Sequence, residues 1–288
     1  MKATKTGIRE GVVTEVFSKD VRAKYEEIYA RRRQKTNRET AIAVIEGAMG
    51  ISAFIIAWYT FSHTIMRNVP DPIKVAKAAI PLIGDSWFYT SAIYSTYRVI
   101  AGFLLACAIG VPLGLIIGWR RTFRDILSPI VEILRPVPPV AWVPLAIIIF
   151  VKLELSMIYI TFIGTFFAVT LNSWLGAESI DSSLYRAIQC LGASPLQEFR
   201  HVVLPGALPS IFSGMTLGMG VSWVCVVGAE MISGQYGLGY LTWASYNLIR
   251  YPEIVVAMIS LAIMGSVCSA IIRALANKYL AWKKVYTS

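Results

Sequence analysis

The chain has 288 residues and a formal charge of +10, yet only 15% of its residues are charged and 56% are hydrophobic. Soluble globular domains contain roughly 25% charged residues, so the composition argues against a soluble domain. Most of the excess of basic residues lies beside apolar segments, and this distribution argues against nucleic-acid binding. The chain has four isolated cysteines and two histidines, a pattern that argues against a metal site.

Residues 1–40 form a basic N-terminal segment with eleven Lys and Arg beside six Asp and Glu. No apolar core lies near its start, which argues against a cleavable signal peptide. A loose helical stripe of Val and Tyr predicts an amphipathic helix on the membrane surface. The alternative is a solvated tail that only fixes the topology.

Six apolar segments follow, and a helix of about 20 such residues spans a bilayer core. They are residues 41–61, 99–118, 126–151, 155–177, 202–229 and 254–272. The third is interrupted at residues 135–139, and the fifth helix is expected to begin near Ser210 because Pro205 and Pro209 precede it. The sequence therefore predicts an all-α membrane domain over residues 41–280, followed by a tail over 281–288.

Charge bias predicts the orientation of these spans. An even number of crossings leaves both ends on one side, and the segments on that side hold 20 Lys and Arg against 6 on the other. The positive-inside rule then makes both termini cytoplasmic. Residues 230–253, rich in Gly and Tyr, are expected to be partly re-entrant, with a backbone that needs partners from protein or water.

Gly110, Gly114 and Gly118 recur every four residues in the second span. Small residues at this spacing let two helix backbones approach closely within a membrane. The pattern indicates tight helix packing or the seam of a homodimer.

No G-x-x-x-x-G-K-[ST] phosphate loop occurs in the chain. This absence argues against ATP hydrolysis by the P-loop route. The glycine-rich residues 234–239 lack the lysine that a phosphate cradle requires, and no acid-base or nucleophile pattern is present. No cofactor or metal is therefore expected in this chain, and any energy for transport must come from another one.

The most informative stretch lies between the fourth and fifth spans. Residues 183–205 predict a short helix, a turn at Gly192 to Pro195, and a second short helix that stops at Pro205. Such a helix-turn-helix between two spans forms a rigid projection, which we call the knob (residues 183–205).

The knob resembles the coupling loop of binding-protein-dependent ABC importer permeases. The family pattern is Glu-Ala-Ala, three residues, Gly, nine residues, Ile, any residue, Leu-Pro. Its positions fall on residues 186–188, Gly192 and residues 202–205, with Arg186 in place of the glutamate. Segments around the knob resemble the nitrate, taurine, alkanesulfonate and bicarbonate subgroup, over roughly residues 68–280.

This resemblance implies a type I importer permease with a cytoplasmic coupling helix, located in a bacterial inner membrane. It implies a homodimer of permeases, two ATP-binding subunits that hold ATP and Mg, an extracytoplasmic solute-binding protein, and a small oxyanion as substrate. The residues that the resemblance assigns to ATPase coupling are Arg186, Ala187, Gly192, Ala193, Ser194, Arg200, His201, Leu204 and Pro205.

Ionisable residues within spans are candidates for the translocation path, because a charge in lipid is costly. A guanidinium there can bind a planar or tetrahedral oxyanion bidentately. The alternatives without a transport role are that Arg98 contacts the outer lipid headgroups and that Arg135 stabilises the broken helix. The candidates for the path are Arg98, Arg135, Trp142, Asn172, Trp223 and Glu230, with Glu46 as a further ionisable residue.

Three other functions remain open at this point. The importer could carry a neutral solute or a vitamin precursor instead of an oxyanion. A passive channel would need no ATPase and no knob, and a membrane-bound enzyme would need a catalytic constellation that the sequence lacks.

Overall fold

The computed structural model describes residue 42 and residues 45–64, 69–233 and 235–280. The N-terminal segment 1–40 and the tail 281–288 lie outside these described residues, so the amphipathic helix predicted near the N-terminus stays a prediction. The described α-helices are α1 (Ile45–Thr64), α2 (Pro72–Gly84), α3 (Ser86–Trp119), α4 (Arg121–Leu134), α5 (Val143–Ile149), α6 (Leu153–Glu178), α7 (Ser182–Cys190), α8 (Pro195–Glu198), α9 (Leu204–Ser233), α10 (Leu238–Asn247) and α11 (Tyr251–Tyr279).

Five long apolar helices and one bent pair match the six predicted spans. The long ones are α1, α3, α6, α11 and the continuous stretch Pro195–Ile232, while α4 and the segment Pro139–Ile149 meet at 87°. The predicted all-α fold with six spans is therefore confirmed. The compact unit that contains all other helices runs from Ile73 onward, and α1 is described on its own.

The break in the third span lies where the prolines predict it. Helix α4 ends at Leu134, and a 3-10 turn, Pro139–Trp142, leads into α5. Proline lacks an amide hydrogen and clashes with the preceding turn, so a straight helix cannot pass through residues 136–139. The hairpin predicted at residues 152–154 is also tight, since α6 begins at Leu153.

The second span is predicted over residues 99–118, but its helix is longer. Helix α2 occupies Pro72–Gly84, and α3 begins at Ser86, where Asp85 caps it by accepting the Trp87 N–H at 3.0 Å. In this added part of α3 the side chains of Ser91, Ser95 and Arg98 are buried. Hydropathy misses this part because it counts buried polar side chains as if they faced water.

The stop predicted at Pro205 is also wrong. A π-helical turn, Phe199–Val203, joins α8 to α9, and the Leu204 N–H donates to the Phe199 carbonyl oxygen. The wider turn accommodates a proline in the following turn without ending the helix. The fifth crossing therefore begins at the knob instead of near Ser210.

Helices α3, α6 and α9 pack together as the centre of the bundle. A Cβ built at Gly114 would lie 2.7 Å from the Cβ of Ser173, and one at Gly118 would lie 2.6 Å from the Cβ of Ala177. Real Cβ atoms do not approach so closely, so these glycines permit the contact between α3 and α6. The glycine stripe thus serves packing within this chain and not the seam of a homodimer.

Candidate functional site

The first helix of the knob, α7, begins and ends at defined caps. The Asp181 carboxylate accepts the Ser183 N–H at 2.8 Å at the start of α7, and this bond holds the pKa of the Asp181 carboxyl below its usual range. At the other end, the Gly192 N–H donates to the Gln189 carbonyl and the Ala193 N–H donates to the Ile188 carbonyl. This pair of bonds is a Schellman motif, which requires a left-handed residue, and Gly192 has φ +75°.

The second helix of the knob starts immediately afterwards. Ser194 and Gln197 form a capping box, in which the Ser194 N–H donates to Gln197 Oε1 at 2.7 Å and Pro195 occupies the first turn. Only Ala193 lies between the two cap residues Gly192 and Ser194. The predicted turn at residues 192–195 is thus present, and its geometry is fixed by caps on both sides.

A buried carboxylate ties the knob to the bundle. Glu198 is 8% exposed and accepts the Trp119 Nε1–H at 2.6 Å and the Gln189 Nε2–H at 3.1 Å. Trp119 is the last residue of α3, and its ring also contacts that of Phe199 at 5.2 Å between centroids. We call Trp119, Gln189 and Glu198 the Glu198 link.

Further contacts hold the helix ends near the knob. Arg124, in the first turn of α4, donates to Glu178 Oε1 at 2.7 Å and to the Gly118 carbonyl at 2.9 Å. Tyr185 donates through its hydroxyl to the Ala177 carbonyl at 3.4 Å. Helices α3, α4, α6 and α7 therefore meet at this end of the bundle.

The residues assigned to ATPase coupling lie on one element, and most face away from the bundle. Arg186, Ala187, Gly192, Ser194, Arg200 and His201 are exposed, while Ala193, Leu204 and Pro205 are half-buried. Arg186, which replaces the family glutamate, donates only to Ser182 Oγ at 3.1 Å. A Cβ at Gly192 would meet no atom within 4 Å, so within this chain its backbone conformation, not its size, requires glycine.

The knob also exposes apolar side chains. Leu191 is 85% exposed and Leu196 is 74% exposed, on opposite sides of the turn. Both flank the capped turn at residues 192–195, and the other exposed side chains around this turn are largely polar. An apolar tip of this kind is typical of a surface that a partner covers.

The candidates for the translocation path do not lie together. Trp142 and Trp223 belong to two separate apolar clusters, and neither indole N–H has a hydrogen-bond partner among the described residues. Arg135 and Asn172 line one cavity of about 570 Å³ together with Glu132, Phe167 and Trp174. Glu46 is exposed on α1.

Arg98 and Glu230 form a buried ionic cluster at the end of the bundle opposite the knob. Arg98 is fully buried, and its Nη1 donates to Glu230 Oε1 at 2.7 Å while its Nε donates to Glu154 Oε2 at 2.8 Å. Arg98 Nη2 donates to the other oxygen of Glu154. Ser95 Oγ donates to Glu230 at 2.8 Å. We call these residues, Ser95, Arg98, Glu154 and Glu230, the Arg98 cluster.

The Arg98 cluster holds the backbone at the start of α10. Arg98 Nη1 donates to the Tyr236 carbonyl at 2.6 Å, Ser95 Oγ accepts the Leu238 N–H at 2.9 Å, and Glu230 accepts the Gly239 N–H at 2.9 Å. The partners that the sequence predicted for this re-entrant backbone are therefore side chains. Gly237 has φ +131°, and a Cβ there would collide with the Glu230 carboxylate.

These contacts change the interpretation of Arg98. A guanidinium that is buried and bound to two carboxylates and a carbonyl fits neither the predicted contact with headgroups nor the predicted contact with an oxyanion. Arg135 differs, since its side chain is exposed and has no hydrogen-bond or ion-pair partner in the described part of the chain. The path roles of Arg135, Trp142, Asn172 and Trp223 stay predictions.

Sequence reasoning missed several residues of these sites. Glu154, Ser95, Glu198 and Trp119 stand in hairpins or at span ends, where polar residues are ordinary. A usable signal existed for Glu154, because a carboxylate beside a short hairpin is well placed to pair with an arginine in a neighbouring span. No local signal distinguishes Glu198 from an exposed glutamate, because its partner Trp119 is 79 positions away.

Comparison with known proteins agrees with this geometry. Residues 110–280 match the family described as binding-protein-dependent transport system inner membrane component. A Methanocaldococcus jannaschii protein described as an ABC transporter permease is 40% identical over 233 residues, which cover 80% of this chain and 87% of that protein.

Two further relatives carry substrate names. The nitrate import permease protein NrtB of Synechocystis is 32% identical over 247 residues, covering 82% of this chain and 90% of that protein. The taurine transport system permease protein TauC of Escherichia coli is 29% identical over 268 residues, covering 89% and 96%. These names agree with the subgroup that the sequence resembles.

A solved structure supports the fold. A chain of the MetNI methionine ABC transporter, in an inward-facing conformation, aligns with a TM-score of 0.60 and 18% identity, covering 67% of this chain and 96% of that chain. At this identity the likeness shows the fold alone, and it confirms the predicted type I importer permease architecture. By its sequence match, its relatives and its fold, the chain belongs to the binding-protein-dependent transport system inner membrane components and is a multi-pass permease subunit of an ABC importer.

Proposed function

We propose that the knob docks on a separate ATP-binding subunit and passes its movement to the membrane helices of this permease. The observation that carries the proposal is the apolar tip of the knob, Leu191 and Leu196, presented by a turn that two caps make rigid. Burial of two leucine side chains in a groove contributes about 1.5–3 kcal/mol each. ATP and Mg are held by that partner, and this chain supplies the docking element and the path.

Two copies of the permease face each other in this proposal, each with its own ATP-binding subunit. Closure of the ATPase pair moves the two knobs together, and each knob carries the ends of α3 and α6 with it. The bundle then alternates between openings on its two faces. The charge bias of the sequence supports placing the knob and both termini in the cytoplasm, and a solute-binding protein meets the opposite face.

The proposed substrate class is a small oxyanion such as nitrate, bicarbonate or a sulfonate. The support is the cavity of about 570 Å³ that presents the Arg135 guanidinium, which has no partner in the described part of the chain, beside Asn172 and Trp174, with Glu132 also at its wall. A guanidinium offers a planar oxyanion two parallel hydrogen bonds, and indole and amide groups add neutral donors. The names of NrtB and TauC point to the same chemistry.

Docking is tested by placing a charge on the apolar tip. Leu191→Asp should lower co-purification of the ATP-binding subunit at least about tenfold, because a carboxylate loses its hydration in an apolar groove. Thr122→Asp is the matched control, since it adds the same charge in the first turn of α4, off the knob. Equal co-purification of the ATPase with both variants would refute docking at this tip.

The substrate class is tested by uptake of labelled nitrate, bicarbonate and taurine in cells with and without the chain. Arg135→Gln should abolish uptake of the transported anion while leaving the ATPase bound, whereas Arg135→Lys should retain part of it. Unchanged uptake in Arg135→Gln would favour the alternative of a neutral solute.

A further inference from the structure

Glu198 is unusual among the residues of the knob. Its carboxylate is buried on a largely exposed element, and no cation lies within ion-pair distance among the described residues, although the Arg120 guanidinium acts on it at longer range. A carboxylate in such a place costs free energy unless hydrogen bonds compensate. Its two bonds go to neutral donors, the Trp119 indole and the Gln189 amide.

These two bonds join parts of the chain that are far apart in sequence. Trp119 ends α3, Gln189 lies in α7, and Glu198 ends α8, from which the helix continues through the π turn into α9. The Trp119 ring also contacts the Phe199 ring and the Arg120 guanidinium, whose central carbon lies 3.9 Å from the Trp119 ring centroid. The Glu198 link therefore connects the knob to α3 as well as to α9.

Apolar packing holds the inner side of the knob, where Phe199 and Val203 contact the cluster around Leu115 and Ala177. Beside that contact lies a polar cavity of about 540 Å³, lined among others by Glu198, Trp119, Arg120, Arg124 and Glu178. A push on the knob can be absorbed by closing such a cavity. The hydrogen bonds of the Glu198 link oppose that movement because they set the distance between the knob and the end of α3.

We propose that Glu198 is a positioning residue that makes the knob rigid against α3, so that movement of the ATPase reaches the far end of the bundle. This inference rests on the proposed docking of the knob. It predicts that a permease without the link still binds and stimulates the ATPase, yet no longer turns each ATP cycle into movement of the bundle. The essential property in this proposal is the ability to accept hydrogen bonds from both Trp119 and Gln189.

Three variants separate this role from a purely structural one. Glu198→Met keeps the length of the side chain but accepts no hydrogen bond from either donor. Trp119→Phe removes one donor and keeps the ring against Phe199. Glu198→Gln should restore function, because its amide oxygen accepts from Trp119 and the Gln189 amide can turn to present its own oxygen.

The experiment uses the purified permease with its ATP-binding subunits in lipid nanodiscs. A fluorescent label is placed at Val151→Cys, a fully exposed position beside the start of α6, in a Cys190→Ala background. The change in fluorescence on adding ATP and Mg is divided by the rate of ATP hydrolysis. Glu198→Met and Trp119→Phe should each lower this ratio at least about fivefold. Glu198→Gln should give the same ratio as the parent permease. The double variant, Glu198→Met with Trp119→Phe, should have a ratio no lower than that of Glu198→Met alone.

The outcomes are distinguishable. If the ATPase does not bind the parent permease, the proposed function fails and the inference fails with it. If it binds but the ratio is unchanged in Glu198→Met and in Trp119→Phe, only the inference fails. Loss of ATPase binding in both variants would also overturn it, because the link would then shape the docking surface instead of transmitting movement.

Discussion

The Arg98 cluster and the Glu198 link lie near opposite ends of α6 and are built from different chemistry. The Arg98 cluster joins a fully buried guanidinium to two carboxylates and fastens three backbone groups at the start of α10. The Glu198 link joins one carboxylate to two neutral donors beside a polar cavity. Helix α6 has 26 residues, so about 39 Å separates its ends.

This difference indicates how each end responds to force. Removing one member of a buried ion pair leaves the other charge without compensation and costs about 3–5 kcal/mol. Both bonds of the Glu198 link go to a carboxylate, and a hydrogen bond to a charged group contributes about 1.5–3 kcal/mol to stability. The Arg98 end therefore acts as a fixed fastening, while the Glu198 end is held by weaker bonds that can re-form after movement.

Arg98→Met tests the strong end and should have the largest effect. The substitution leaves Glu154 and Glu230 facing each other without a cation, so we expect a loss of about 3–5 kcal/mol. Thermal aggregation of the purified permease in detergent measures it. Arg98→Lys keeps the charge but cannot bind both carboxylates, so its thermal midpoint should lie between those of Arg98→Met and the parent. A thermal midpoint of Arg98→Met equal to that of the parent would contradict the role of the Arg98 cluster as a fixed fastening.

Gly237→Ala tests the same end through the backbone. The new methyl group meets the Glu230 carboxylate, and φ +131° is strained for any residue with a side chain. The expected loss is about 2–3 kcal/mol by the same assay. Gly84→Ala is the control, because a Cβ there meets nothing within 4 Å, and equal loss in both variants would point to a general effect of adding a methyl group.

Gly192→Ala probes the turn of the knob and should have a smaller effect. Alanine in the left-handed region costs about 1–2 kcal/mol, whereas asparagine adopts that region more readily. Cleavage of the detergent-solubilised protein by a protease within residues 183–205 should be faster for Gly192→Ala than for Gly192→Asn. The reverse order would show that side-chain size, not backbone conformation, limits this position.

Trp119→Phe probes the weak end and should have a modest effect on stability, about 1.5 kcal/mol, because Glu198 keeps its bond from Gln189. Trp174→Phe is its matched control, because the Trp174 indole N–H has no hydrogen-bond partner among the described residues. The thermal midpoint should fall for Trp119→Phe and stay near the parent value for Trp174→Phe. Equal midpoints would mean that the bond from Trp119 to Glu198 adds nothing to the folded state.

Apolar runs and local turn chemistry allowed much of the fold to be predicted from the sequence. Spans 155–177 and 254–272 lie within α6 and α11, because a bilayer selects apolar segments of a set length. The break at residues 135–139 and the turn at Gly192 followed from proline and glycine, whose backbone preferences act locally. The spacing of Gly192, Leu204 and Pro205 identified the family.

Tertiary contact decided the rest. Hydropathy placed the start of the second span at Val99, although the helix begins earlier. It cannot distinguish a polar residue in water from a polar residue buried against another helix, and Ser95 and Arg98 are of the second kind. The sequence marked Arg98 and Glu230 as costly charges but not as partners, since they lie 132 positions apart. Glu198 gave no signal at all. Pairings of this kind depend on which helices become neighbours, and that is set by the packing of α3, α6 and α9, not by any one segment.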